Sequence, residues 1–94
     1  MEKKPLFPLG QVVSTPGAIK AFMEEGGCMS DFLQRHVTGD WGELSEGDKE
    51  ENEHSLREHL RVLSAYTLPL TRTRIWIITE ADRSATTLLL PSEY

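Results

Sequence analysis

Two groups of residues in this sequence could carry proton or phosphate chemistry. His36 and Asp40 stand four residues apart next to Trp41, a spacing at which a carboxylate can hold an imidazole in one tautomer for general-base work. The second group is Thr79-Glu80-Ala81-Asp82-Arg83-Ser84. Joined to His36 and Arg74, its Glu80 and Arg83 would supply the base, acid and phosphate-binding cations of metal-free RNA cleavage. Each group also has a structural reading. Gly39-Asp40-Trp41-Gly42 can form a corner in which Trp41 seals one edge of the core. Asp82 can accept backbone hydrogen bonds across a turn while Glu80 pairs with Arg83 or Arg61. The candidate functional cluster is therefore His36, Asp40, Trp41, Arg61, Glu80, Asp82 and Arg83.

Other reactive side chains point to less. His54 and His59 are five apart, so on one helix they diverge, and no metal site is expected from them. Cys28 is the single cysteine; it excludes an internal disulfide, lacks a base to activate it, and reads as a buried structural thiol. No cofactor is expected.

The elements that must position these residues follow from pattern. With 94 residues, 38% of them hydrophobic, the chain is a single small domain, residues 1–94, with one modest core. Residues 1–14 carry Pro5, Pro8 and Gly10 and form an extended arm in which Gln11-Val12-Val13 can add an edge strand. Residues 15–58 form the helical part. Thr15-Pro16 is a capped helix start, Ile19, Phe22 and Met23 share a face, and Gly26-Gly27 is the stop. Ser30-Asp31 begins a second short helix that ends at Gly39.

Residues 43–58 hold seven acidic side chains against Lys49 and Arg57. Ser45 followed by Asp48 caps an exposed third helix near residues 46–57, with disorder as the competing state of its first turn. From Leu60 the period becomes two, which opens a β-meander over residues 60–91.

The final hairpin permits register arithmetic. A two- or four-residue loop centred on Ala81-Asp82 pairs Ile77 with Thr86 and Ile75 with Leu88. One face then carries Ile75, Ile77, Leu88 and Leu90; the other carries Arg74, Trp76, Ile78, Ala85, Thr87 and Leu89. The first is core. The second mixes a cation, an indole and hydroxyls, the profile of a partner-facing surface, so Trp76, Ile78 and Leu89 form a candidate interface. The fold class is α+β, with two short N-terminal helices on a C-terminal antiparallel meander of three or more strands and an exposed acidic third helix.

The motifs Thr15-Pro16-Gly17-Ala18, Arg35-His36-x-x-Gly39-Asp40-Trp41-Gly42, Arg61-x-x-Ser64-x-Tyr66 and the block Ile75 to Pro91 resemble a family of small bacterial proteins. That family is described as plasmid-related and sometimes labelled type I restriction endonuclease subunit M. The resemblance runs from about Leu9 to Tyr94 and implies a setting among mobile elements, near genes for plasmid maintenance or restriction evasion. A methyltransferase is not implied. The glycine-rich turn and doubly wound fold that hold S-adenosylmethionine are missing from the sequence, so no such cofactor is expected.

Charge narrows the partners. The formal net charge is −5 and the pI about 5.1, which disfavours nucleic acid as a ligand and favours a protein partner or a homodimer. No apolar run approaches a membrane span and the N-terminus lacks a signal helix, so a cytoplasmic protein is expected. The functional expectation is a non-enzymatic interaction or regulatory module, its acidic segment able to mimic nucleic acid toward a basic partner. The opposing class is a metal-independent ribonuclease, or other phosphodiester-acting enzyme, of barnase-like or RelE-like layout.

Overall fold

The computed structural model describes residues 4–94. Its elements run β1 (Gln11–Ser14), α1 (Pro16–Glu25), α2 (Met29–Val37), α3 (Glu46–Glu58), β2 (Val62–Thr67), β3 (Arg74–Thr79) and β4 (Ala85–Leu89), closed by a 3-10 turn at Pro91–Glu93. The four strands make one open sheet in the order β1-β4-β3-β2. β2, β3 and β4 form the expected antiparallel meander, and β1 joins β4 in parallel. Gly10, at φ 66°, makes that junction possible, because a side chain there would collide with the carbonyls of Arg83 and Ser84.

Local chemistry sets the helix ends. The Thr15 hydroxyl accepts from the Ala18 amide, Pro16 occupies the first turn, and Gly26 ends α1 in the left-handed conformation. Ser45 caps α3 by accepting from the Asp48 amide, so the acidic first turn is helical. The second helix starts at Met29, one residue ahead of the expected Ser30-Asp31, without a side-chain cap.

α1 and α2 cover one sheet face. Ala18, Ala21 and Phe22 pack with Tyr66, Leu68, Ile75, Ile77 and Leu88, joined by Phe32 and Leu33 of α2. A second cluster of Phe7, Val37, Trp41 and Val62 lies below it, with Leu44 and Leu56 against it. The N-terminal arm enters here: the Leu6 amide donates to the Val37 carbonyl, and Phe7 stacks on Trp41.

The face assignment of the last hairpin holds, but its register does not. Thr79 pairs with Thr86 and Ile77 with Leu88, two residues away from the expected pairing. The loop is Ala81 to Ser84, closed by Glu80 and Ala85, and Arg83 adopts φ 61° within it. Moving the loop centre by one residue shifts every pair by two and therefore keeps each side chain on its face.

The two sheet edges are treated differently. Along β2, the Ala65 amide donates to the Trp41 carbonyl and the Glu43 amide to the Ala65 carbonyl, an approach that only a glycine at 42 allows. The Asn52 side chain of α3 completes the seal, donating to the Leu63 carbonyl and accepting from its amide at 2.6 and 3.1 Å. Along the outer side of β1 no such cover exists among the described residues.

Leu88 is fully buried, so Leu88→Ala should cost about 2–5 kcal/mol in chemical denaturation. Asn52→Ala should cost roughly 1–3 kcal/mol, since it strands two backbone groups of Leu63. A loss below 0.5 kcal/mol at Asn52, roughly the range of ordinary surface substitutions, would show that the amide seals nothing.

Candidate functional site

His36 sits on the last turn of α2 with no solvent exposure. Its Nδ1 lies 2.5 Å from Ser64 Oγ and its Nε2 2.9 Å from Thr79 Oγ1. Thr79 in turn meets Thr86 Oγ1 at 2.7 Å, and Thr86 donates to the Leu9 carbonyl at 2.7 Å. The direction of the chain follows from proton count. Thr86 spends its one proton on Leu9, so Thr79 donates to Thr86 and must accept from His36. His36 is therefore the Nε2–H tautomer, and Ser64 donates to its bare Nδ1.

Burial pushes the His36 pKa down to about 3, and the Arg83 cation adds to the effect. The edges of Phe7 and Trp41 close over the ring at 5.3 and 5.9 Å. A neutral, doubly bonded, sealed imidazole has no free nitrogen with which to take a proton from a substrate.

The residues proposed to work with it are turned elsewhere. Asp40 pairs with Arg35 at 2.8 Å and accepts from the Gly42 amide. Trp41 is buried and donates from Nε1 to Glu53. Arg83 reaches back to the end of α3, donating to the carbonyls of Leu60, Glu80 and Ser55, with its guanidinium over the Phe7 ring. Arg74 is bound to Glu43 on the outer rim of the sheet. The Ser84 hydroxyl, and with it the Ser84 amide that donates to Asp82, holds the Asp82 carboxyl below the usual range. His36, Glu80, Arg83 and Arg74 thus do not share one pocket.

A different set does converge. On the sheet face away from α1 and α2, a groove of about 210 Å³ is lined by Arg61, Ile78, Glu80, Thr87, Leu89 and Tyr94. Arg61 forms its wall, donating to Glu80 at 3.3 Å and to the Tyr94 hydroxyl at 3.0 Å. Tyr94 packs edge-on against Trp76. The C-terminal turn is pinned there by Glu93, which accepts from the Thr15 hydroxyl, the Gly17 amide and the Leu90 amide. The Thr15 bond, with those amides, holds the Glu93 carboxyl below its ordinary range.

The candidate interface is therefore partly roofed by the chain itself: Ile78 and Leu89 are 6% and 5% exposed, Trp76 is half-buried, and Tyr94 remains open at 72%.

Cys28 corrects an expectation. It is exposed rather than buried, because it precedes α2 at the surface, and a hydrogen bond with Ser30 lowers its pKa. Among the described residues no group of three or more His, Cys, Asp and Glu side chains could hold a metal ion. No helix there is long and apolar enough to cross a membrane. The polar chain through His36 was missed in the sequence because Ser64, Thr79 and Thr86 read as ordinary strand residues. Parity alone already places Thr79 and Thr86 on the core face. Comparison with family models, curated proteins and solved structures returns no match.

The buried imidazole makes a prediction about acid. Its folded pKa lies below its unfolded value, so the unfolded chain binds a proton first and stability falls as pH drops from about 6.5 toward 3. Between pH 6.5 and 5.5, above the carboxylate range, the loss from this one group should steepen from about half of 1.4 kcal/mol per pH unit toward that limit. Urea midpoints over that window should slope for the wild type and flatten for His36→Gln. Imidazole nitrogen shifts should report a neutral Nε2–H ring at pH 5. A protonated ring at that pH would overturn the assignment.

Proposed function

We propose that this chain is a binding module for a protein partner, without catalytic chemistry of its own, acting in the setting of plasmids or other mobile elements. The observation that carries this reading is the groove beneath Tyr94. There Arg61 and Glu80 of the polar cluster meet Ile78 and Leu89 of the apolar face. An apolar floor with Trp, Tyr and Arg at its margin has the composition of an interaction hot spot.

The opposing chemistry loses its parts: His36 is sealed and Arg83 is committed to backbone carbonyls. The negative charge argues in the same direction, since a phosphodiester-cleaving surface needs cations to gather its substrate. The setting among mobile elements rests on the resemblance of the motifs from Leu9 to Tyr94.

Capture from host cells with wild type, Tyr94→Ala and Arg61→Glu as baits tests the reading. Both side chains are exposed, so the substitutions spare the core. A partner held by the wild type should be weakened by a factor of about 30 or more by either change, the scale of a hot-spot residue of about 2 kcal/mol. Purified protein should leave single-stranded RNA intact and show no saturable binding of S-adenosylmethionine in calorimetry. RNA cleavage abolished by His36→Ala would replace this reading with an enzymatic one.

A further inference from the structure

The edge of the sheet at β1 supports an inference beyond the groove. The Gln11 and Thr15 amides donate to the Ser84 and Leu88 carbonyls. In a parallel ladder the backbone polar groups of alternate residues turn the same way, so Gln11, Val13 and Thr15 face β4 while Val12 and Ser14 turn their N–H and C=O groups outward. Val12 and Val13 are 43% and 41% exposed. The strand carries none of the devices that protect an edge, having no charge, no proline and no bulge within it. The opposite edge, by contrast, is sealed by Gly42 and Asn52.

We propose that β1 is a dimerisation edge, pairing antiparallel with β1 of a second copy about a two-fold axis at Val13. The phase of the outward groups is self-complementary. Val12 meets Ser14 of the second copy and Ser14 meets its Val12, each pair exchanging two hydrogen bonds, while the two Val13 side chains face each other across the axis as a non-hydrogen-bonded pair. The two four-stranded sheets become one continuous eight-stranded sheet.

The charge pattern is compatible with a second copy of this chain at this edge. Each copy carries −5, yet Pro5 to Ile19 contains no charged residue and is the longest uncharged run in the sequence, so no charged side chain of the pairing strands themselves opposes the contact. Four residues per copy bury far less than the roughly 1,200–2,000 Å² of a standard interface. The dimer is therefore weak and concentration-dependent, and each protomer folds without it.

Sedimentation velocity over a concentration series reads the association directly, with Val12→Pro as the diagnostic variant. Proline at 12 removes an N–H that points away from β4, so the parallel ladder keeps its bonds while the new edge loses one in each copy. The wild-type mean mass should rise toward two chains with concentration, and Val12→Pro should stay monomeric with an unchanged circular dichroism spectrum.

A cysteine pair tests the axis itself. Non-hydrogen-bonded partners have Cα atoms about 4.5 Å apart, within disulfide reach. In a Cys28→Ser background, mild oxidation should link Val13→Cys chains to each other and leave Gln11→Cys chains unlinked. A wild type that stays monomeric throughout, a Val12→Pro variant that still dimerises, or equal cross-linking at 11 and 13 would each overturn the proposal. If Val12→Pro unfolds, the comparison of cysteine variants decides. None of these outcomes bears on the groove, whose test rests on Tyr94 and Arg61.

Discussion

The rest of the structure depends on one line of hydrogen bonds through the core, from Ser64 through His36, Thr79 and Thr86 to the Leu9 carbonyl. It passes through α2, all three strands of the meander and the arm that leads into β1. Each of His36, Thr79 and Thr86 has a single productive partner on either side, so removing one leaves its neighbours buried and unpaired, the costly case for polar groups out of water. Hydrophobic packing alone would tolerate small slips of α2 along the sheet. The imidazole does not, because its two nitrogens must reach hydroxyls on two different strands. Phe7, Trp41 and Arg83 then close around it, and each is held in turn by something else: Trp41 by Glu53, Arg83 by the end of α3.

Much of the fold was legible because it rests on short-range chemistry. Thr15-Pro16 and Gly26 bound α1 as the cap rules require, and the alternation of residues 74–89 placed each side chain on its proper face. The hairpin register was not legible, since it turns on Arg83 accepting a left-handed conformation that its residue type does not announce. Asn52 was hidden for a similar reason. Within a run dominated by carboxylates its amide attracts no notice, yet it is the residue of α3 that mimics a neighbouring strand.

The candidate site was read only in pieces. Arg61 and Glu80 stand out by charge, Ile78 and Leu89 by the face they share, and nothing in local pattern shows that the groove joins them. Tyr94 escaped notice because its role depends on the C-terminal turn folding back, which Glu93 secures through contacts with residues more than seventy positions away. His36 shows the converse error. A histidine flanked by arginine and near an aspartate invites a catalytic reading, but in space it is buried against hydroxyls: burial keeps the ring neutral, and the hydroxyls decide its tautomer.

The parallel pairing of β1 with β4 also has a consequence for how the chain is made. Among the described strands, residues 11–14 are made first and their partners at 85–88 last. Every element between them is synthesised before β1 has a strand to bond to, so β1 can join the sheet only once β4 has been made. The contact that closes it spans most of the sequence and carries a large loop-closure cost. Until β4 is made the uncharged arm has no strand to pair with, and unpaired strand segments of this kind are where association during folding begins.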